Sequence, residues 1–98
     1  MYLFRLIYKI IMKLPFKEEK LEENIFIRTF KQETDSGELA WHRDYEDRIV
    51  ESIDETDWGF QLDNQLPILI SGKIYIPKGV YHRLIKGKGD LKIKLTKL

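Results

Sequence analysis

Hydrophobic and polar residues alternate with a period of two near the C-terminus of the chain. Leu91, Ile93 and Leu95 alternate with Lys92, Lys94 and Thr96. Because successive side chains of a strand point to opposite faces, this run predicts a strand with one buried face and one face in water. Other short runs are rich in β-branched and aromatic residues and predict further strands at residues 25–30, 39–44, 48–53, 58–63, 66–70, 74–76 and 81–86.

Turn signals separate these runs every 6 to 12 residues. They lie at residues 33–37, 54–57, 63–64, 71–72, 77–79 and 86–90, and they are rich in Gly, Asp, Asn, Ser and Pro. Little after residue 24 has the periodicity of a helix. About eight short strands with regular turns predict an all-β fold, either an antiparallel sandwich or a barrel.

The first 24 residues differ from the rest and are interpreted as an N-terminal extension, with the β-barrel over residues 25–98. Residues 1–16 are strongly apolar, with Arg5, Lys9 and Lys13 four apart. Three interpretations of this segment stay open. It packs on the barrel or on the partner subunit of a dimer, it lies on a membrane surface, or it precedes the true start of the protein at Met12. The segment is too short and too charged for a transmembrane helix. A signal peptide is not expected either, because the charges run through the apolar part and no small-residue cleavage site follows. Residues 17–24 are predicted to be an exposed helical turn or loop.

Length and composition indicate one soluble domain. The chain has 98 residues, no cysteine and a net charge of +1. Its charges are segregated: residues 33–63 hold 2 Lys/Arg and 11 Asp/Glu, whereas residues 64–98 hold 8 and 1. Such segregation favours a compact chain or a contact with a partner. We expect a cytoplasmic protein with no nucleic-acid partner, since lysines on one sheet face give the same basic pattern.

The candidate chemistry lies around two histidines. His42 and Asp44 are two apart, so in a strand both side chains would point to the same face. His82 follows the bend at Pro77-Lys78-Gly79 far along the chain. If the fold brings these segments together, two imidazoles and one carboxylate form the set favoured by non-haem iron and related divalent metals.

These two segments resemble the signatures of the cupin family, in particular its small single-domain members in phages and microbes. The first cupin signature is a His-x-His pair followed by a Glu about four residues later, and here it reads His42-Arg43-Asp44 with Arg48 in the place of the Glu. The second is a Gly, a hydrophobic run and Pro-x-Gly-x-x-His, and here it begins at Gly72 and ends at His82. The resemblance covers roughly residues 38–98. It implies a small jelly-roll barrel, the double-stranded β-helix, that binds a metal.

The chain departs from the family pattern at the site itself. Asp44 replaces a histidine, Arg48 replaces the glutamate, and Lys86 stands in the place of a later asparagine. The spacing from Gly72 to the proline is also one residue short. By spacing, Asp44 and Arg48 both point into the barrel. Two interpretations therefore stay open: Arg48 binds an anionic ligand beside the metal, or it closes the pocket by an ion pair with Asp44.

These features lead to one main functional hypothesis. His42, Asp44 and His82 bind a divalent metal (Fe, Mn, Ni or Zn), and Arg48, Gln61 and Tyr75 contact a small polar or anionic ligand. The alternatives are a metal-free binding or assembly module and an Fe(II) oxygenase-like enzyme, so the sequence leaves open whether the protein is an enzyme. Glu46 and Asp47 are expected in a solvated turn. A barrel this small leaves sheet edges uncovered, which favours a homodimer, and membrane contact is not expected.

Overall fold

The computed structural model describes residues 16–33 and 39–98. This part of the chain contains eight β-strands. They are β1 (Lys17–Glu22), β2 (Ile25–Phe30), β3 (Arg48–Ser52), β4 (Gly59–Leu62), β5 (Ile68–Leu69), β6 (Lys73–Ile76), β7 (His82–Ile85) and β8 (Leu91–Lys97). β1, β2, β8, β3 and β6 lie side by side in one antiparallel sheet, and β5, β4 and β7 form a second. The predicted all-β fold is thereby confirmed.

The core lies between the two sheets and follows from the alternation along the strands. Leu91, Ile93 and Leu95 of β8 are buried, as the sequence pattern predicts. Residues on the inner face of β2, β3 and β6 flank them, and Trp58 and Phe60 come from the second sheet. Trp58 is fully buried, and its Nε1 donates a hydrogen bond to the carbonyl of Gly89, 3.1 Å away. Removing this apolar surface from water is the main force that holds the sheets together.

Two local predictions are wrong. Residues 17–22 are not a helical turn but strand β1, whose six residues are all exposed and which pairs with β2. Residues 39–44 are not a strand: of these residues only His42 forms a bridge. In β1 the pairing with β2 decides the conformation, and a strand exposed on both faces carries no alternating pattern.

Phe16, the first described residue, packs against the core. Its ring centroid lies 5.4 Å from that of Phe30, and the guanidinium carbon of Arg28 lies 4.2 Å from its centroid. The predictions for residues 1–15 and for most of the turn at 33–37 lie outside the described residues. Within residues 16–33 and 39–98, no helix is long and apolar enough to cross a membrane.

Candidate metal centre

A single antiparallel bridge joins the two predicted motifs. The amide of His42 donates to the carbonyl of His82 at 3.0 Å, and the amide of His82 donates to the carbonyl of His42 at 2.8 Å. The two imidazole rings lie on the same side of this bridge, with their centroids 4.4 Å apart. The fold therefore brings together two residues that are 40 positions apart in the sequence.

Both rings are held by the same kind of hydrogen bond. Nδ1 of His42 lies 2.8 Å from the carbonyl oxygen of Ala40, and Nδ1 of His82 lies 2.9 Å from that of Val80. A carbonyl oxygen can only accept, so each Nδ1 carries the proton and donates it. Nε2 is then the ring nitrogen whose lone pair can coordinate a metal. Metal-binding histidines in proteins almost always have this second hydrogen bond.

Asp44 completes the cluster. One ligand atom from each of His42, Asp44 and His82 lies within 4.8 Å of the other two. Oδ2 of Asp44 is buried and lies 3.2 Å from Nε2 of His82, but it forms no aligned hydrogen bond with any described residue. A buried carboxylate oxygen without a hydrogen bond is costly and needs an explanation.

The distance between these two atoms fits a shared metal ion. Nitrogen and carboxylate ligands lie about 2.0–2.2 Å from a transition-metal ion, so two neighbouring ligands at tetrahedral or right angles lie about 2.9–3.5 Å apart. The 3.2 Å between Nε2 of His82 and Oδ2 of Asp44 falls in this range. The residues of this site therefore fit a divalent metal ion.

Arg48 contacts Asp44 on the side of Oδ1. Its Nη1 is 3.3 Å from Oδ1 of Asp44, the oxygen that does not face His82. Its Nε and Nη2 donate to Oε1 of Glu46 at 2.9 and 2.6 Å. The predicted ion pair between Asp44 and Arg48 is present, but Glu46 balances the charge of the guanidinium. The arginine orients the carboxylate through Oδ1, whereas Oδ2 faces His82.

The charges around Asp44 favour its ionised form. Burial by itself raises the pKa of this carboxyl group, but the contact with His82 and the positive charge of Arg48 outweigh it and hold the pKa below the ordinary value of 3.8. Asp44 is therefore a carboxylate near neutral pH, which is the form that binds a metal.

The bend before His82 is hydrogen-bonded to the segment that carries Asp44. Gly79 has φ of 77°, in the left-handed region that glycine adopts without steric strain. Its amide donates to the carbonyl of Asp44 at 2.8 Å, and the amide of Lys78 donates to Oδ1 of Asp47 at 2.8 Å. The side chain of Asp47 is thus part of the scaffold, although a solvated turn is predicted for it from the sequence.

A small cavity of about 30 Å³ adjoins the cluster between the sheets. Its polar lining comes from Arg28, Asp44, Arg48 and His82, and its other lining side chains are apolar. One water molecule needs roughly 10–15 Å³ of such a cavity, so the cavity has room for only two or three waters. Arg28 lines the cavity, and no motif in the sequence points to it. Only its place on the inner face of β2, between Phe26 and Phe30, could have indicated it.

The structure does not bring Gln61 and Tyr75 to this cluster. Gln61 lies on β4, accepts a hydrogen bond from Nε of Arg83 at 3.0 Å and donates to the carbonyl of Gln65. Tyr75 is 52% exposed and lies between the buried residues Ile74 and Ile76 of β6, on the outer face. Neither residue lines the cavity. Of the three residues predicted to contact a ligand, only Arg48 is at the site.

No protein-family model matches the chain, and no curated protein matches its sequence. Solved structures do match. NMB1881 from Neisseria meningitidis is 18% identical with a TM-score of 0.59, over 95% of this chain and 94% of that one. A cupin-2 domain containing protein from Shewanella frigidimarina is 19% identical with a TM-score of 0.56. The match covers 94% of this chain and 88% of that protein.

A third match is the DMSP lyase DddQ from Ruegeria pomeroyi, which is 11% identical with a TM-score of 0.59. The aligned region covers 86% of this chain but only 47% of DddQ, so this chain spans about half the length of that enzyme. At these identities the matches establish the fold and not the activity. The two-sheet topology and these neighbours together show that the chain has the cupin fold.

Proposed function

We propose that this chain is a divalent-metal-binding protein of the cupin fold, with His42, Asp44 and His82 as the ligands. The observation that carries the proposal is the buried Oδ2 of Asp44, which has no hydrogen bond from a described residue and lies 3.2 Å from Nε2 of His82. A cation at this point would satisfy the oxygen. Both Nδ1 hydrogen bonds support the proposal, because they orient Nε2 of each ring as a ligand atom.

The ligand set narrows the choice of metal. Two imidazoles and one carboxylate suit Fe, Mn, Ni or Zn better than Mg or Ca, which prefer oxygen ligands alone. Three protein ligands leave coordination positions open, and a metal bound there supplies a Lewis acid. The residues themselves bind and orient: the histidines offer neutral nitrogens, and Arg48 with Glu46 fixes the Asp44 carboxylate.

A small polar or anionic molecule is the ligand class that the site favours. The cavity of about 30 Å³ has space for only two or three water-sized groups, and two guanidinium side chains line it. A larger organic cosubstrate does not fit between the sheets, which argues against the oxygenase alternative. Arg48 remains the residue proposed to contact such a ligand, whereas the positions of Gln61 and Tyr75 give them no part in it.

Metal analysis tests this proposal directly. Protein purified without chelator is expected to contain about one ion of Fe, Mn, Ni or Zn per chain, and adding the preferred ion to chelator-treated protein is expected to raise its melting temperature. The variants Asp44→Ala and His82→Ala should lose both effects. Glu51→Gln is a matched control, because Glu51 lies on β3 and pairs with Lys94 at 3.9 Å.

The second candidate is a metal-free binding or assembly module. The buried ion pair between Arg48 and Asp44 favours it, since Arg48 already partners one carboxylate oxygen. It predicts no stoichiometric metal and an unchanged melting temperature when any of the four metals is added. That result would overturn the metal proposal.

A further inference from the structure

Arg28 is a buried cation inside the fold. It lies on the inner face of β2, in register with Ile93 of β8, and its side chain is only 10% exposed. Together with Arg48 it lines the small cavity that adjoins Asp44 and His82. Arginine is almost never buried this deeply unless its charge is paired. The groups around Arg28 therefore decide what it can bind.

The start of β1 holds Arg28 from one side. The guanidinium carbon lies 4.2 Å from the ring centroid of Phe16, which is a cation–π distance, and Nε lies 3.6 Å from Oε2 of Glu18. The second distance is that of an ion pair and exceeds that of a hydrogen bond. Glu18 is in register with Arg28, and its side chain is 28% exposed. Glu18 therefore balances the charge of Arg28 through a long and partly solvated contact.

The net charge around the cavity differs between the metal-free and the metal-bound protein. Among the described side chains that line the cavity or pair with its arginines, the positive groups are Arg28 and Arg48, and the negative groups are Glu18, Asp44 and Glu46. The histidines offer neutral nitrogens, so the metal-free site has one negative charge in excess. With a divalent ion it has one positive charge in excess. A monoanion then neutralises the site, and the planar fork of a guanidinium matches a carboxylate.

The size of the cavity limits the anion. Its volume of about 30 Å³ has room for two or three water-sized groups. Formate, with three heavy atoms, has this size, whereas a carboxylate with a longer alkyl chain exceeds it. The other lining side chains are apolar, and their low local dielectric strengthens the attraction between an anion and a guanidinium.

We propose that Arg28 is the specificity-determining residue of this site and selects a formate-sized monocarboxylate, with Glu18 as its competitor within the chain. Without the anion, Glu18 balances Arg28, and an anion in the cavity competes with Glu18 for the same guanidinium. This inference rests on the proposed metal binding, because the metal-free site has an excess of negative charge. It goes further in assigning the class of anion and the roles of Arg28 and Glu18.

The affinity for Zn²⁺ in two carboxylate salts tests the proposal. Formate and butanoate are both monocarboxylates, but only formate fits the cavity. By linkage, an anion that binds better to the metal-bound protein tightens metal binding by the same factor. Isothermal titration calorimetry of the chelator-treated full chain is expected to give a Zn²⁺ dissociation constant at least about fivefold lower in about 50 mM sodium formate than in the same concentration of sodium butanoate.

Three variants assign this formate preference, which is the ratio of the two dissociation constants. Arg28→Met keeps an unbranched side chain without the charge and should reduce the ratio to about one. Glu18→Gln removes the competitor and should raise the ratio about two- to fivefold. Glu19→Gln is the matched control, because it makes the same charge change at the next residue of β1, which points to the opposite face. It should leave the ratio unchanged.

The outcomes separate this inference from the metal proposal. Equal Zn²⁺ affinities in the two salts would overturn the inference and leave metal binding intact, and so would a formate preference that Arg28→Met retains. Absence of Zn²⁺ binding in both salts would overturn both proposals. Circular dichroism of each variant verifies the fold. If Arg28→Met does not fold, the comparison of Glu18→Gln with Glu19→Gln decides, and equal ratios in these two variants would overturn the inference.

Discussion

Oδ2 of Asp44 faces Nε2 of His82 at 3.2 Å, while Oδ1 of the same carboxylate faces Arg48 at 3.3 Å. The carboxylate therefore has two different sides. One oxygen is held by a guanidinium that Glu46 already balances, and the other is presented to the two imidazoles. An arginine takes the place that a glutamate has in the cupin signature, and it pairs with Oδ1 of the remaining carboxylate.

The stability of the metal-free protein is expected to depend on Asp44 at acidic pH. The pKa of Asp44 is lower in the folded protein than its ordinary value of 3.8, so this group adds stability that is complete above that value. The contribution is lost as the pH falls through the lowered pKa. In chelator-treated protein, the free energy of unfolding from urea titrations should fall less steeply below pH 4 in Asp44→Asn than in the wild type.

Asp63→Asn is the control for this experiment, because it removes an exposed carboxylate outside the site. Its free energy of unfolding should follow the wild-type pH profile. If the free energy of unfolding falls equally steeply between about pH 4 and 2 in Asp44→Asn and in the wild type, the contacts of Asp44 with Arg48 and His82 do not stabilise the fold.

Glu46 is expected to tune metal affinity through Arg48. Glu46→Gln removes the negative charge that balances the guanidinium, so the positive charge of Arg48 acts more strongly on a bound cation and its position is less fixed. Loss of such an outer contact typically weakens metal binding about 10–100-fold. Isothermal titration calorimetry with Zn²⁺ measures the change, and Glu51→Gln on the outer face of β3 should bind as the wild type does.

Gly79 is expected to matter both for stability and for the site. Gly79→Ala places a Cβ in open space, so its cost is the left-handed backbone alone, about 1–2 kcal/mol. Gly72 has φ of 69° and equally open surroundings, and Gly72→Ala should cost a similar free energy in urea denaturation. Only Gly79→Ala should also weaken metal binding, because the Gly79 amide bonds to the carbonyl of Asp44. Equal metal affinities in the two variants would contradict this role.

Trp58 is expected to be the costliest single side chain to truncate. It is fully buried, and its ring centroid lies 6.3 Å from that of Phe30. Trp58→Ala should lower the free energy of unfolding by about 3–5 kcal/mol, because it leaves a cavity between the sheets. Trp58→Phe keeps most of the apolar contact and should cost less than half as much. Guanidinium denaturation measures both, and similar losses for the two variants would contradict this account.

The strands that the sequence predicted best are those with one buried and one exposed face. β8 shows the alternation of Leu91, Ile93 and Leu95 directly, since burial on one face selects apolar residues at every second position. β1 has no such face, because all six of its residues are exposed. Its conformation comes from pairing with β2, a contact that no local pattern reports.

The site was predicted in part. His42, Asp44 and His82 do meet, and Asp44 does pair with Arg48, both as the family resemblance and the spacing implied. Glu46 was expected to be solvated, yet it holds Arg48. Residues 45 and 46 form a bend that brings Glu46 to Arg48, and no alternation of polar and apolar residues predicts such a bend. Gln61 and Tyr75 could not be placed, because which face of a strand looks inward depends on its register with its neighbours.

The bridge between His42 and His82 also has a consequence for how the protein folds. No short fragment of the chain contains the site, because its two halves are 40 residues apart and meet only when β7 is paired. Closing so long a loop loses chain entropy before any contact compensates for it, which makes folding slow in proteins dominated by non-local pairing. Any ligand that binds both histidines holds that loop closed. Its release therefore removes one restraint on two distant segments, which the backbone bridge alone then joins, and we expect the protein to unfold faster when the site is empty.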